Sequence, residues 1–173
     1  GSVELCTAVS NHLKRHKISI PAEDIVISPG CKQAILYGMM ATLDPGDEVL
    51  LLAPAWPSYD GMLKLLGAVP IHVPVNRENY HPDFTALEKA VTGKTKAIIV
   101  NSPNNPTGAV YEPKEVEMLV KFAEKHDLWI IDDMIYATLV WEEYVYTSPS
   151  VYEGGKDRTI TIGGWSKGWA MTG

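Results

Sequence analysis

The closing segment of the chain, TITIGGWSKGWAMTG, places one lysine, Lys167, shortly after a run of β-branched residues. A primary amine at this position could be a solvated surface group, a clamp for a phosphate, or a nucleophile that attaches covalently to an aldehyde. Taken alone, Lys167 is typical of a solvated surface residue. Its role therefore depends on the groups that the fold brings to it.

Two further segments contain residues that could bind a flat, phosphorylated molecule. PGCKQ contains Gly30, Cys31 and Lys32, which fit a plain strand-to-helix turn. They also fit a phosphate site, because a helix N-terminus offers free N–H groups and a partial positive charge. PAWPSY contains Trp56, which either packs against the protein or provides a stacking surface for a heterocycle. Neither segment is specific by itself.

The segments SPNNPTG and DDMIY place polar residues after apolar runs. In the first, Asn105 and its neighbours are ordinary turn residues. In the second, Asp133 comes after the apolar residues WII, so we expect it to be at least partly buried, where a carboxylate needs a cationic partner. Asp133 and Tyr136 would then lie at the end of the same strand.

Short runs rich in β-branched residues alternate with amphipathic stretches, a pattern that predicts strands separated by helices. The predicted strands are residues 25–28, 48–53, 69–73, 96–101, 128–132 and 159–163. Helices are predicted over residues 3–17, behind Pro113, and after Asp83 as a capping residue. Four of the strands are nearly continuous in apolar residues, as strands covered on both faces require. The order predicts one α/β domain over residues 1–173 with a mainly parallel, doubly wound sheet.

The unusual segments all follow predicted strands. In an open parallel sheet, ligands bind beyond the carboxyl ends of the strands. PGCKQ, PAWPSY, SPNNPTG, the residues after WIID, and GWSKG would therefore meet at one edge, which predicts a single shared site. Together they suit a flat anionic cofactor with a ring nitrogen and an aldehyde. The helix N-terminus would bind its phosphate, Trp56 its face and Lys167 its aldehyde.

Composition narrows the classes of partner. The chain has 173 residues, 46% of them hydrophobic, and a formal charge of −6, which argues against nucleic acid or an anionic membrane surface as its main partner. Its two cysteines and five histidines show no disulfide framework and no metal-ligand spacing, so no metal site is predicted. Reduced thiols are typical of a cytoplasmic protein. The sequence also lacks an apolar run long enough for a membrane span.

The segments NSPNNPTGAVY, DDMIY and WSKGWAMTG, in this order, resemble the signature segments of class I/II aminotransferases, pyridoxal-phosphate enzymes of fold type I. DPGDEVLLLAPAWPSY resembles the same family, and the likeness runs from about Val3 to the last residue. It is strongest to the bacterial aspartate aminotransferase branch. The resemblance implies pyridoxal 5′-phosphate as the cofactor, an amino acid and a 2-oxo acid as substrates, and a homodimer for the whole enzyme.

The resemblance also implies a role for each motif residue. Lys167 matches the lysine that binds the cofactor aldehyde covalently and then moves protons as acid and base. Asp133 matches the carboxylate that keeps the pyridine nitrogen protonated, so that the ring can accept electrons. Asn105 and Tyr136 match the hydrogen-bond donors to the phenolic oxygen of the cofactor.

The remaining motif residues match contacts to the ring face and to the phosphate. Trp56 matches the stacking aromatic residue. The backbone N–H groups of Cys31 and Lys32, which follow Gly30, and the hydroxyl of Ser166 match the phosphate contacts.

Some positions depart from the family pattern. Gly164 stands where many relatives have a phosphate-binding hydroxyl, Cys31 replaces a typical small residue, and Met134 replaces the usual Glu. The first two departures are expected to weaken phosphate binding. Relatives continue with a phosphate-binding arginine, so the resemblance predicts that residues 1–173 are the cofactor-binding core of a longer enzyme. In the fold that the resemblance implies, the strand that follows in relatives lies between residues 25–28 and 159–163. Without this strand we expect either a break in the sheet at that place or an intermolecular contact that fills it.

Other functions remain open on sequence grounds. A carbon–sulfur β-lyase would share Lys167 and Asp133, and a non-catalytic effector domain that senses pyridoxal phosphate would share the fold. A nicotinamide-dependent dehydrogenase fits less well, because no G-x-G-x-x-G follows the first predicted strand.

Overall fold

A computed structural model describes residues 1–141 and 143–172 of the chain. In these ranges five strands form one parallel sheet in the order β2-β1-β3-β4-β5. The strands are β1 (Glu48–Ala53), β2 (Val69–Pro74), β3 (Thr95–Asn101), β4 (Trp129–Asp133) and β5 (Thr159–Ile162). Each begins and ends within one residue of a predicted strand, so these predictions are confirmed.

The α-helices are α1 (Val3–Leu13), α2 (Cys31–Thr42), α3 (Ser58–Leu65), α4 (Phe84–Ala90) and α5 (Pro113–Lys125). The sequence predicts three of them, α1, α4 and α5, and these predictions are confirmed. Pro113 is the first residue of α5, and the Asp83 side chain accepts hydrogen bonds from two N–H groups at the start of α4. α1 is shorter than predicted: a 3-10 turn covers Lys14–His16, and Lys17 is left-handed with φ of 60°. None of the helices in the described ranges is long and apolar enough to cross a membrane.

The sheet is covered on both faces, because successive strand residues point in opposite directions. One face packs against α4 and α5 and includes Leu50, Leu52, Ile98, Val100 and Ile130. The other face packs against α2 and α3 and includes Val49, Leu51, Ala97, Ile99 and Ile131. Burial of both faces stabilises each strand by roughly 25 cal/mol per Å² of apolar surface removed from water. The predicted doubly wound α/β fold is confirmed.

The predicted strand at residues 25–28 is wrong. Ile25 is extended, with φ of −101° and ψ of 122°, but neither edge strand of the described sheet, β2 or β5, pairs with this segment. Val26 is 79% exposed. The residues have strand-like composition, but a strand also needs a neighbour for its N–H and C=O groups. β5 is therefore an edge of the described sheet, and the expected break between two strands stays a prediction.

Candidate active site

The carboxyl ends of the strands bring the predicted site segments to one edge of the sheet. β1, β3, β4 and β5 run parallel, and each is followed directly by one of these segments. α2 joins them because its buried residue Ile35 packs with Ile131 of β4 and Ile162 of β5. The N-terminus of α2 also contacts the end of β5, where the Cys31 thiol donates to the Gly163 carbonyl at 2.8 Å.

Asp133, the last residue of β4, is only 3% exposed. The Tyr59 hydroxyl donates to Oδ2 of Asp133 at 2.6 Å, and the Ile135 N–H donates to Oδ1 at 3.3 Å. The ion pairs in the described part of the chain do not include Asp133. Burial raises the pKa of Asp133, and the hydrogen bonds from Tyr59 and Ile135 oppose this rise. Such a carboxyl group is best completed by a cationic ligand.

Sequence reasoning does not find Tyr59 as a site residue. Its only signal is its place in PAWPSY, three residues after Trp56 and in the first turn of α3. Burial is the largest cause of the raised pKa of Tyr59, and the neighbouring Asp133 is the second. The phenols of Tyr136 and Tyr111 raise this pKa to a smaller extent. Tyr136 therefore lies within electrostatic reach of the Tyr59–Asp133 pair.

Asn101 is the other residue that motif reasoning leaves unassigned. It ends β3, is buried, and donates from its side-chain nitrogen to the Asp133 carbonyl at 2.9 Å. Its side-chain oxygen accepts from the Asn105 N–H at 2.9 Å. Asn101 thus ties the loop that carries Asn105 to the end of β4. The side chains of Asn105 and Tyr136 are half-buried and can be reached by a ligand.

Trp56 lies half-buried on the loop after β1. Its ring meets that of Tyr59 edge-on, with centroids 5.3 Å apart and planes at 88°. The Lys32 ammonium, at the start of α2, lies 5.1 Å from the centroid of the Trp56 ring, a cation–π distance. The indole is therefore reachable from the N-terminus of α2, and Lys32 and Trp56 lie close together; that both contact one ligand stays a prediction.

Gly30 immediately precedes α2 and is its N-cap residue. Its φ of 89° lies in a region that favours glycine, and an added Cβ would meet nothing within 4 Å. The first N–H groups of a helix have no partner inside the helix. Open space therefore lies beside free donors, which suits a bound anion such as a phosphate.

Ser166 and Lys167 lie on the turn that follows β5. The turn packs against the segment after β4, since Gly168 lies directly against Thr138. The Ser166 side chain is half-buried and the Lys167 side chain is exposed. In residues 1–141 and 143–172 no carboxylate forms an ion pair with Lys167, so its amine is available.

Two of the departures from the family pattern lie in contact. A Cβ at Gly164 would lie 2.5 Å from the Cys31 sulfur and 3.2 Å from Cδ1 of Ile135. Burial, with a smaller contribution from Asp133, raises the pKa of Cys31 to about 12, so the thiol is neutral and donates to Gly163. The sulfur thus occupies the space that a side chain at position 164 needs, and the two departures compensate each other.

This contact predicts non-additive stability changes. Gly164→Ala alone should lower the free energy of unfolding by about 1–3 kcal/mol, because it overpacks the site. In the Cys31→Ala background the same substitution should cost less, because the sulfur is gone. Denaturant unfolding of the parent, both single variants and the double variant measures the coupling. Simple additivity would contradict the compensation.

The chain shows extensive similarity to known proteins. The family model "Aminotransferase class I and II" matches residues 1–173. The chain is 40% identical over 175 residues to the probable aspartate/prephenate aminotransferase of Thermus aquaticus, covering 100% of this chain and 45% of that protein. The structure matches the aromatic aminotransferase of Pyrococcus horikoshii with a TM-score of 0.96 and 38% identity, covering 99% of this chain and 47% of that one. A double mutant of Thermus thermophilus aspartate aminotransferase matches with a TM-score of 0.94 and 38% identity, covering 99% and 45%.

A doubly wound α/β chain with this edge and these relatives is a transferase core of fold type I. The chain belongs to the class I and II aminotransferases, a family that depends on pyridoxal phosphate. It spans about 45% of the length of the Thermus aquaticus relative, so it corresponds to part of the large domain. The predicted family is confirmed, and the matches lend no support to a β-lyase or an effector domain.

The residues of this edge fit pyridoxal phosphate. The buried Asp133 needs a cation, which a protonated pyridine nitrogen supplies. Trp56 offers an aromatic face, and the open space at Gly30 lies beside helix N–H groups. Lys167 is an exposed amine. In the described ranges no group of three His, Cys, Asp or Glu side chains could hold a metal ion.

Proposed function

We propose that residues 1–173 are the cofactor-binding core of an aminotransferase that moves an amino group between an amino acid and a 2-oxo acid. The observation that carries this proposal is the buried Asp133, held by Tyr59 at the same sheet edge as Trp56, the start of α2 and Lys167. Bound pyridoxal phosphate supplies an electron sink through its ring. The chain's own residues bind and orient this ring and move protons.

Asp133 pairs with the protonated ring nitrogen in this proposal. The Tyr59 hydroxyl occupies Oδ2 at 2.6 Å, whereas Oδ1 has only the longer contact of 3.3 Å from the Ile135 N–H. Oδ1 therefore has more capacity to accept a further, charge-assisted hydrogen bond. Tyr59 is a positioning residue, since it holds the carboxyl group and would touch the cofactor only through it.

Other residues of the site are proposed to contact the ring face and the phosphate of the cofactor. Trp56 would stack on the ring face, and its indole lies 5.1 Å from the Lys32 ammonium at the start of α2. The N–H groups of Cys31 and Lys32, with the Ser166 hydroxyl, bind the phosphate. The left-handed backbone at Gly30 keeps the approach to these N–H groups open.

The catalytic groups are Lys167, Asp133 and Tyr136. Asn105 and Tyr136 donate hydrogen bonds to the phenolic oxygen of the cofactor. Lys167 would hold the cofactor through its aldehyde, and its free amine could carry a proton between substrate atoms. The half-buried positions of Asn105 and Tyr136 and the exposed position of Lys167 support these roles.

Membership of the family supports a proposal for the substrates and the assembly. The Thermus aquaticus relative is named for aspartate and prephenate and the Pyrococcus horikoshii structure for aromatic substrates, so we propose an aspartate-like or similar amino acid. We further propose that the full-length enzyme is a homodimer in the cytoplasm, with small molecules rather than nucleic acid or membranes as partners. Residues 1–173 form one incomplete large domain in this proposal.

The proposal is tested by mapping the lysine that captures the cofactor. Pyridoxal phosphate added to the protein should produce a visible absorption band that disappears on borohydride reduction. Peptide mass mapping should then place the label on Lys167. A label spread evenly over many surface lysines would contradict the site assignment.

Turnover by residues 1–173 alone is expected to stay near background. The chain spans about 45% of its relative, and much of the rate in such chemistry comes from positioning the substrate. A coupled assay with aspartate and 2-oxoglutarate, run beside the full-length Thermus aquaticus enzyme, measures this. Comparable turnover of the two proteins would show that residues 1–173 already contain everything needed for catalysis.

A further inference from the structure

A second aspartate, Asp132, is buried behind Asp133 on the opposite face of β4. It is 0% exposed, and its neighbour in the strand points toward the candidate site. The Tyr146 hydroxyl and the Ser148 hydroxyl both donate to Oδ2 of Asp132, at 2.7 and 2.6 Å. Within residues 1–141 and 143–172, Oδ1 has no hydrogen-bond partner.

These hydrogen bonds join the end of the loop that follows β4 to β4 itself. The chain leaves β4 at Asp133, passes Tyr136, and returns at Tyr146 and Ser148; residues 134–141 and 143–148 form no helix or strand. Tyr146 and Ser148 are buried at 4% and 0% exposure. The loop that carries Tyr136 is therefore held at its far end by one carboxyl group.

The loop has further support from apolar packing and from a local turn. Tyr146 packs in a small cluster with Ile18, Met134 and Ala137. Ser148 also accepts from the Ser150 N–H and thereby starts the 3-10 turn Pro149–Val151. Neither contact reaches β4 through a polar group, so Asp132 is the polar link between the returning chain and the sheet.

Among the described residues, none of the groups that face Asp132 is a cation that pairs with it. From the returning segment they are two hydroxyls, and from its own strand the charged neighbour is Asp133 on the other face. From α1 and its 3-10 turn, the His16 ring lies 5.5 Å from the Tyr146 ring, and burial lowers the pKa of His16. No ion pair in the described ranges includes Asp132.

β5, the strand next to Asp132, has buried hydroxyl groups without hydrogen-bond partners among the described residues. Thr161 is the register partner of Asp132, and its buried hydroxyl has no hydrogen-bond partner in the described residues. The Thr159 hydroxyl, two residues earlier on the same face, also has none. A protonated Oδ1 of Asp132 would have a hydrogen to donate to the oxygen of such a neighbouring hydroxyl, whereas either form of the carboxyl group could accept from it.

Burial raises the pKa of Asp132 to about 7, with the Ser148 and Tyr146 hydrogen bonds opposing the rise and the Asp133 charge adding to it. The geometric basis of this shift is the full burial of Asp132, with no ion-pair partner for it among the described residues.

We propose that Asp132 is a positioning residue of the site: as a neutral carboxylic acid it binds Tyr146 and Ser148 and so fixes the loop that carries Tyr136. The hydrogen bonds from Tyr146 and Ser148 to Asp132 do not depend on the proposed function. That they position Tyr136 to contact the cofactor rests on the proposed function. The sign of its pH dependence follows from linkage. An acid whose pKa is higher in the folded chain favours folding less as pH rises from about 3.8 to about 7.

The test uses the whole 173-residue chain without added cofactor, so its result does not depend on the proposed function. Asp132→Asn keeps an acceptor oxygen and a donor but cannot ionise, and Asp132→Ala removes both. Asp157→Asn is the control, an exposed aspartate treated in the same way. Amide hydrogen exchange of residues 134–148, compared with that of α5, reports how firmly the loop is held.

In Asp132→Ala, exchange in residues 134–148 should rise about tenfold more than in α5, the effect of losing roughly 1.4 kcal/mol of hydrogen bonding. Asp132→Asn should match the parent at pH 5. Between pH 5 and 8 the unfolding free energy of the parent should fall relative to that of Asp132→Asn, and Asp157→Asn should follow the parent. This pH difference separates a neutral-acid tether from ordinary packing.

Several results would overturn the proposal. If Asp132→Ala does not fold, Tyr146→Phe removes one donor and should loosen the same residues selectively. Unchanged exchange in residues 134–148 would show that Asp132 does not hold the loop. A carboxyl carbon of Asp132 that titrates near 4 by NMR, or loosening in Asp132→Asn as large as in Asp132→Ala, would exclude the neutral acid.

Discussion

Replacing Lys167 by alanine should abolish covalent capture of pyridoxal phosphate by residues 1–173. Alanine has no amine, and only a primary amine can bond to the aldehyde in a form that borohydride fixes. The proposed ring and phosphate contacts come from other residues, so weaker non-covalent binding should persist. The expected result is loss of the visible band and of the borohydride-fixed label, with cofactor still detected by equilibrium dialysis.

Lys156→Ala provides the matched control. Lys156 is exposed and lies just before β5, at the opposite end of the strand from Lys167. The Lys156→Ala variant should capture the cofactor as the parent protein does. If Lys167→Ala retained the label, another amine at the same edge would be responsible. Lys32, 5.1 Å from the Trp56 ring, would then be the first to test.

Asp133→Asn should collapse the exchange of an amino acid's α-hydrogen while leaving the fold intact. Asparagine cannot keep the ring nitrogen protonated, so the ring would accept electrons poorly. Loss of the charge-assisted hydrogen bond should weaken cofactor binding by roughly 1.5–3 kcal/mol. The free energy of unfolding should not fall, because burial already disfavours the charged form of Asp133 and a neutral group avoids that cost. Deuterium exchange followed by NMR measures the first effect and denaturant unfolding the second.

Tyr59→Phe is the companion variant. It removes the 2.6 Å hydrogen bond to Asp133 but keeps the carboxyl group and the aromatic packing against Trp56. We expect a smaller loss of cofactor affinity, about 0.5–1.5 kcal/mol, and an intermediate rate of α-hydrogen exchange. If Asp133→Asn exchanged hydrogen as fast as the parent, the proposed electronic role would be wrong. If Tyr59→Phe fell below Asp133→Asn, Tyr59 would act directly rather than through the carboxyl group.

The sequence by itself determined the layers of this protein and the edge that carries its site. Strands buried on both faces must be apolar throughout, so five strands and their order with the helices could be predicted from local pattern. Because ligands bind beyond the carboxyl ends of parallel strands, the motif segments could be assigned to one edge. The motifs also identified the family, which the matches over residues 1–173 confirm.

Only the tertiary structure decided which side chains meet across that edge. Tyr59 and Asp133 are 74 positions apart and Cys31 and Gly163 are 132 apart, so their contacts depend on how helices and strands align. Asp132 lies in a run that predicts a strand, but its pairing with Tyr146 and Ser148 depends on an irregular return of the chain. The prediction of a strand at residues 25–28 was wrong for the same reason. A strand requires a neighbouring strand to pair with, and local composition does not determine whether one is present.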